Sequence, residues 1–294
     1  MKIIFITDYR LFTILWIILI AEIYNVINVQ FEIDPSFNPR RPERNRIRES
    51  LRPYLAAIIQ ITNSDRLSFV CSATYIDRRY VLTNGFCRIE PPYQSYRVVI
   101  GGLDFIANEV PDEHLLEVLH VIKFSNVMRF LYDIALVEMT PFQKDNEIAV
   151  MPEFHHQLSH QSNPMYGIRT NSCYSLGYTI SSSSAEPQEL ATPILSQFYC
   201  QRHVATIFRS EIKMCAGYSK EIIPRARRPI IGAQYIGGGL FCKFRDDSEE
   251  VSLCKNRGFV LIGVAIDLDV NQTVSVYSQI RYFSKWIRDK ILPY

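Results

Sequence analysis

From Pro53 onward the chain is written in short runs of β-branched and aromatic residues, each closed by a turn. That spacing constrains the fold more than any other feature. Leu55–Thr62, Val81–Thr83, Arg97–Ile100, Ile134–Met139, Val260–Ile266 and Val274–Ser278 are too short for typical helices. They carry the residue types that suit a pleated, half-buried surface. Ser181–Ser184, followed by Pro187, reads as a loop. The exception lies near the C-terminus, where Phe283, Trp286, Ile287 and Ile291 recur at i, i+3, i+4 and i+8, one apolar face of a helix. Many short strands and one terminal helix describe an all-β barrel or sandwich protein. With 48% hydrophobic and 21% charged residues, the 294-residue chain has enough apolar material for a sizeable core. All-β folds often run to about 200–250 residues as one unit. A net charge of +2 gives no reason to expect a nucleic-acid or membrane-surface partner.

Ahead of this body, Lys2 and Arg10 flank an uncharged apolar run from Leu11 to Ala21. A membrane-spanning helix needs about 18 or more such residues, so residues 1–21 read as a cleaved secretory signal peptide rather than a retained anchor. Residues 22–50 contain Pro35, Pro39 and Pro42 and the arginines 40, 41, 44, 46 and 48, and read as a basic, poorly ordered arm. All seven cysteines follow residue 70; in an exported chain they are expected to be oxidised, with one left over. Asn271-Gln272-Thr273 is a glycosylation sequon. His155, His156 and His160 lack accompanying ligands at metal-site spacing and read as a polar loop, so no metal or other cofactor is expected. Arg225, Arg227 and Arg228 read as a solvated loop, with an anionic-partner patch as the alternative.

Four segments carry a more specific signal. Cys71 to Cys87 (CSATYIDRRYVLTNGFC) resembles the trypsin-like stretch CGGSLIS..WVLTAAHC. Tyr132 to Leu136 (YDIAL) resembles NDIALL, and Gln234 to Cys242 (QYIGGGLFC) resembles GDSGGPLVC. Gly263-Val264, Val276-Tyr277 and Trp286-Ile287 resemble the closing GIVSWG, GVYT and WI elements. Cys173 to Gly177 and Met214 to Gly217 are similar to C..GWG and MICAG. Their order over residues 51–290 resembles the trypsin/chymotrypsin-like serine protease family, in the manner of an insect-like secreted homologue.

This resemblance implies two packed six-stranded antiparallel β-barrels, about residues 51–145 and 146–280, with a C-terminal helix over about 279–291. It implies the disulfides Cys71–Cys87, Cys173–Cys242 and Cys200–Cys215. The family's bridge beside the specificity pocket has lost both partners, one of them at Gly232. Cys254 is then unpaired, as a free or capped thiol or as the site of an intermolecular disulfide.

The resemblance also assigns the catalytic positions. The attacking serine, the histidine that takes its proton and the aspartate that orients the histidine act together. Here the histidine position is Phe86, which has no titratable nitrogen, and the serine position is Ile236, which has no nucleophilic atom. Asp133 alone keeps the family residue, either to shape a cleft or because buried oxygens accept backbone hydrogen bonds. The oxyanion-hole glycine is Gln234, and the aspartate that receives the new N-terminus is Tyr235. No R-IVGG cut site occurs near Arg41–Arg44, and the pocket base maps to Ile230. The expectation is a secreted, non-catalytic homologue that binds other secreted proteins, or a peptide in the degenerate cleft. It would act as an extracellular regulator or cofactor in a protease cascade or in reproduction. The absence of cysteines before Cys71 argues against a clip domain and toward roles such as seminal fluid. The alternatives are an enzyme with a relocated nucleophile such as Cys254, and a structural secretory component.

Overall fold

The computed structural model describes residues 45–62, 67–124, 133–143, 168–204, 208–218, 235–244, 258–268 and 274–292. The signal run, the arm up to residue 44, the three loop histidines, Arg225–Arg228, Ile230, Gly232, Gln234, Cys254 and Asn271 lie outside the described residues.

The first half is a closed antiparallel barrel. Its strands are β2 (Leu55–Ile61), β3 (Leu67–Asp77), β4 (Tyr80–Thr83), β5 (Tyr96–Ile100), β6 (Leu115–Lys123) and β7 (Ala135–Met139), in the order β2-β3-β4-β7-β6-β5. Strand β2 shows why these runs read as almost continuously apolar. Ala56 and Ile58 face the barrel interior with Tyr75, Val98 and Val137. Leu55, Ala57 and Ile59 point the other way, into a cluster shared with Leu176, Tyr178, Phe241 and Leu261 of the second half. A strand buried on both faces needs apolar residues at both parities.

The second half is a seven-stranded antiparallel sheet. It comprises β1 (Asn45–Arg46), β8 (Ile168–Ile180), β9 (Ala185–Ala191), β10 (Lys213–Gly217), β11 (Gly239–Phe244), β12 (Phe259–Leu268) and β13 (Val274–Gln279). Their order is β1-β9-β8-β11-β12-β13-β10. The sheet curls back on itself through residues 192–195. Ile194 N donates to Thr170 O of β8 at 2.9 Å, while Leu195 N donates to Cys215 O of β10 at 3.0 Å. Closure is therefore irregular rather than a continuous ladder.

The seventh strand comes from the arm. Asn45 and Arg46 pair with Glu189 and Gln188, Ile47 is buried, and Arg48 forks onto Glu189 at 2.6 Å. The Arg48 guanidinium also lies 4.0 Å from the Tyr174 ring centroid. Residues 45–48 of the arm thus pack on the second sheet, because they find a strand edge and a buried carboxylate.

Three disulfides staple the sheets, and they are the pairings the resemblance implies: Cys71–Cys87, Cys173–Cys242 and Cys200–Cys215. Cys173 and Cys242 are register partners of β8 and β11. Helix α1 (Gln197–His203) is capped by Ser196, whose hydroxyl accepts from Tyr199 N at 3.2 Å. Helix α2 (Ile280–Ile291) buries Ile280, Phe283 and Ile287 in the shared cluster. Phe124 packs edge-on against Phe283 at 5.0 Å and Trp286 at 5.3 Å.

Candidate functional site

The turn that carries Phe86 packs on the segment of Asp133 through Gly85, and the loop that carries Ile236 is tied to Ser72 of β3. Strand β4 ends at Thr83, and the turn that follows carries Asn84 and Phe86. Thr83 Oγ1 donates to Ser72 O at 2.8 Å, and Ser72 N donates to Ile236 O at 3.2 Å, so Ser72 joins β4 to the loop entering β11. Gly237 follows with φ of 90°, and a Cβ there would stand 2.1 Å from Ser72 O and 2.4 Å from Thr83 Oγ1. Both its backbone conformation and its close approach require glycine. Gly85 lies against the backbone of Asp133 and Ile134, at 3.2 Å from Ile134 N to its would-be Cβ.

Asn84 clips this turn to the second sheet. The side chain is 1% exposed; its Nδ2 donates to Ile266 O at 2.9 Å, and its Oδ1 accepts from Phe86 N at 2.5 Å. Ile266 sits at a bulge where the β12–β13 register shifts between Ala265 and Asp267. The bulge leaves the Ile266 carbonyl directed away from β13, and the buried Asn84 amide satisfies it. Phe86 itself is 44% exposed, presenting an aromatic face beside this clip.

Asp133, just before β7, is buried, and its Oδ2 lies 3.6 Å from Lys213 Nζ at the start of β10. Both side chains are almost wholly out of solvent, at 7% and 2% exposed. Its Oδ1 has no hydrogen-bond partner among the described residues. Burial raises the carboxyl to about 6; Lys213 partly offsets the rise and the charge of Asp267 adds to it. The backbone hydrogen bonds expected to hold Asp133 are not what the described structure provides. Its counterpart is a lysine delivered from the other half.

Tyr235, next to Ile236, is buried against Leu190 of β9. Its ring rests on Gly177 of β8, where a Cβ would stand 2.7 Å from Cδ1. The aromatic ring fills the space beside the β8–β9 pair.

The arrangement supplies an acid paired with an amine, an aromatic face and a packed tyrosine. Among the described residues no group of three or more His, Cys, Asp or Glu side chains could hold a metal ion. Motif reading missed Asn84 and Lys213, although both lie in or beside quoted segments. The available signal was a lone polar residue inside an otherwise buried run, Lys213 before Met214-Cys215-Ala216 above all. Such residues are rarely fully buried without a partner.

A family model described as Trypsin matches residues 44–224, well over half of the chain. No curated protein matches the chain.

Proposed function

The chain belongs to the trypsin family, and on that premise we propose that it is a secreted, non-catalytic member that acts by binding another extracellular protein. The observation that carries this reading is the engagement of Asp133 by Lys213, together with Phe86 and Ile236 at the other two catalytic positions that the family resemblance assigns. The proton acceptor and nucleophile of the family mechanism are missing from their positions, and the remaining carboxylate faces an ammonium rather than an imidazole. Triad members act as a unit, so a lone aspartate supplies little catalysis. The three disulfides suit an oxidising compartment. No helix among the described residues is long and apolar enough to cross a membrane.

The binding role is that of an extracellular regulator or cofactor, in a protease cascade or in a fluid such as seminal plasma. Phe86 is the exposed aromatic at the junction that a partner would cover, and buried aromatic anchors carry much of interface energetics.

The test combines two measurements on the purified, folded chain. Fluorophosphonate probes should give no specific labelling, and a panel of chromogenic peptides should not be turned over. Pull-down from native extracellular fluid should recover a discrete partner, with recovery weakened by Phe86→Ala. Stoichiometric probe labelling would defeat the non-catalytic reading, and absence of any specific partner would defeat the binding role.

A further inference from the structure

Asn171, Ser172 and Cys173 of β8 form a variant of the glycosylation sequon in which a cysteine takes the place of the hydroxyl residue. The third residue is read through a hydrogen-bonding side-chain group, and a thiol offers the same donor and acceptor in weaker form. In the folded chain that thiol is gone: Cys173 is 1% exposed and its sulfur is joined to Cys242. Asn171, by contrast, is exposed. In a regular strand the two residues would share a face. Here the β8–β11 register passes from Cys242↔Cys173 to Phe244↔Ile168, so residues 169–172 stand opposite Lys243 alone. Pairing of β8 with β9 begins only at Tyr174. The bulge turns Asn171 into solvent, where a substituent on its amide displaces no core packing.

We propose that Asn171 is an N-glycosylation acceptor, modified during export before Cys173 pairs with Cys242. The proposal rests on the reading that the chain is secreted. Chain order supplies the interval. Cys242 follows Cys173 by 69 residues, which take roughly 3–14 s to synthesise at about 5–20 residues/s. Disulfide formation itself takes seconds to hours, and the native partner is absent throughout that interval. Cys200 and Cys215 arrive between the two but pair with each other. The Asn171 amide nitrogen adds to the anomeric carbon of a lipid-linked oligosaccharide diphosphate. The C–N bond forms, the C–O bond to the diphosphate breaks, and the lipid diphosphate leaves with the bonding pair. One amide proton passes to a base of the transferase. Cys173 and Cys242 then lose two protons and two electrons to an oxidising disulfide of the same compartment. The glycan precedes the bridge, because bridge formation consumes the thiol that completes the sequon.

The full chain is produced in eukaryotic secretory cells, collected from the medium, reduced, alkylated and digested with trypsin. Peptide N-glycosidase in heavy-oxygen water converts each glycosylated asparagine to a labelled aspartate, and a portion without the enzyme corrects for spontaneous deamidation. Residues 170–202 form one tryptic peptide in which Asn171 is the sole asparagine. The label is expected there in wild type, lost in Cys173→Ala and raised in Cys173→Ser, whose hydroxyl completes the ordinary sequon. Both variants lack the bridge to Cys242, so the difference between them reads the sequon and not the fold. Variants retained in the cell are read from lysates, since the transfer occurs on entry to the export pathway. Secreted wild type without label at Asn171, or with a label equalled in Cys173→Ala, overturns the proposal and leaves export standing. A chain absent from the medium and unmodified at Asn271 as well defeats export, and this proposal with it.

Discussion

The ring of Tyr235 rests on Gly177 so closely that a single methyl at Gly177 would come within 2.7 Å of Cδ1, 2.8 Å of Cγ and 2.9 Å of the Tyr235 Cα. The contact reaches the backbone, so rotating the side chain cannot relieve it. Gly177→Ala should therefore destabilise the fold by about 1–3 kcal/mol, the usual range for overpacking. Tyr235→Leu should remove part of the clash, so the two substitutions should couple by about 0.5–3 kcal/mol in a double-mutant cycle. Urea unfolding of the four proteins measures this; strict additivity would contradict the contact.

The Asn84 clip predicts a graded pair of variants. Asn84→Ala leaves the Ile266 carbonyl and the Phe86 amide without their partner and should cost about 2–3 kcal/mol for two buried groups. Asn84→Asp keeps the acceptor for Phe86 N but sets an oxygen against the Ile266 carbonyl, so it should rescue the first contact only. Amide hydrogen exchange at Phe86 separates them: fast in the alanine variant, slow in the aspartate variant.

Arg48 ties the first strand to the second sheet through Glu189, whose side chain is 4% exposed. Among the described residues, Arg48→Ala leaves that carboxylate with only the residue 48 backbone N–H, which donates at 3.0 Å. An unfolding loss of roughly 2–3 kcal/mol is expected for a buried charged group deprived of its partner. Glu189→Gln in the same background should recover part of it. Thermal unfolding of the single and double variants reads the outcome.

Asp104 sets the response to acid. Burial acts to raise its carboxyl. The amides of Ile106, Ala107 and Ala185 and the Ser184 hydroxyl outweigh that effect and hold it below the ordinary 3.8. A carboxyl depressed in the folded state contributes stability above its unfolded pKa, and that contribution fades as pH falls through the lower folded value. Wild type and Asp104→Asn should differ in urea midpoint near neutrality and converge well below pH 3.8. A gap that persists unchanged into strong acid would show that Asp104 is not the titrating clamp.

Restoring the two missing side chains should not restore a protease. In Phe86→His/Ile236→Ser the new imidazole would compete with Lys213 for Asp133. The family resemblance assigns Gln234 to the oxyanion-hole position, and loss of one such donor costs roughly 100- to 1000-fold. Turnover of chromogenic peptides at rates ordinary for a trypsin-like enzyme would show that the remaining scaffold is catalytically competent.

The strands were legible in the linear chain because their information is local. Val274–Ser278 and Arg97–Ile100 appear in the structure as Val274–Gln279 and Tyr96–Ile100, since β-branched and aromatic residues between turn signals state their preference within a few positions. The helix of Phe283 and Ile287 was legible for the same reason, through its 3.6-residue period. Positions 86 and 236 could be aligned from their flanking cysteine and glycines, and Asp133 from the Tyr132 to Leu136 motif. What surrounds them could not. Lys213 is 80 positions from Asp133 in sequence and Ile266 is 182 from Asn84, and no periodicity relates such pairs. Nor did composition show that Arg48, in an arm rich in arginine, would find Glu189 while joining a sheet edge. Burial decides these contacts: a polar group removed from water must find a partner in space. Which partner it finds is settled only when the barrel and the second sheet pack together.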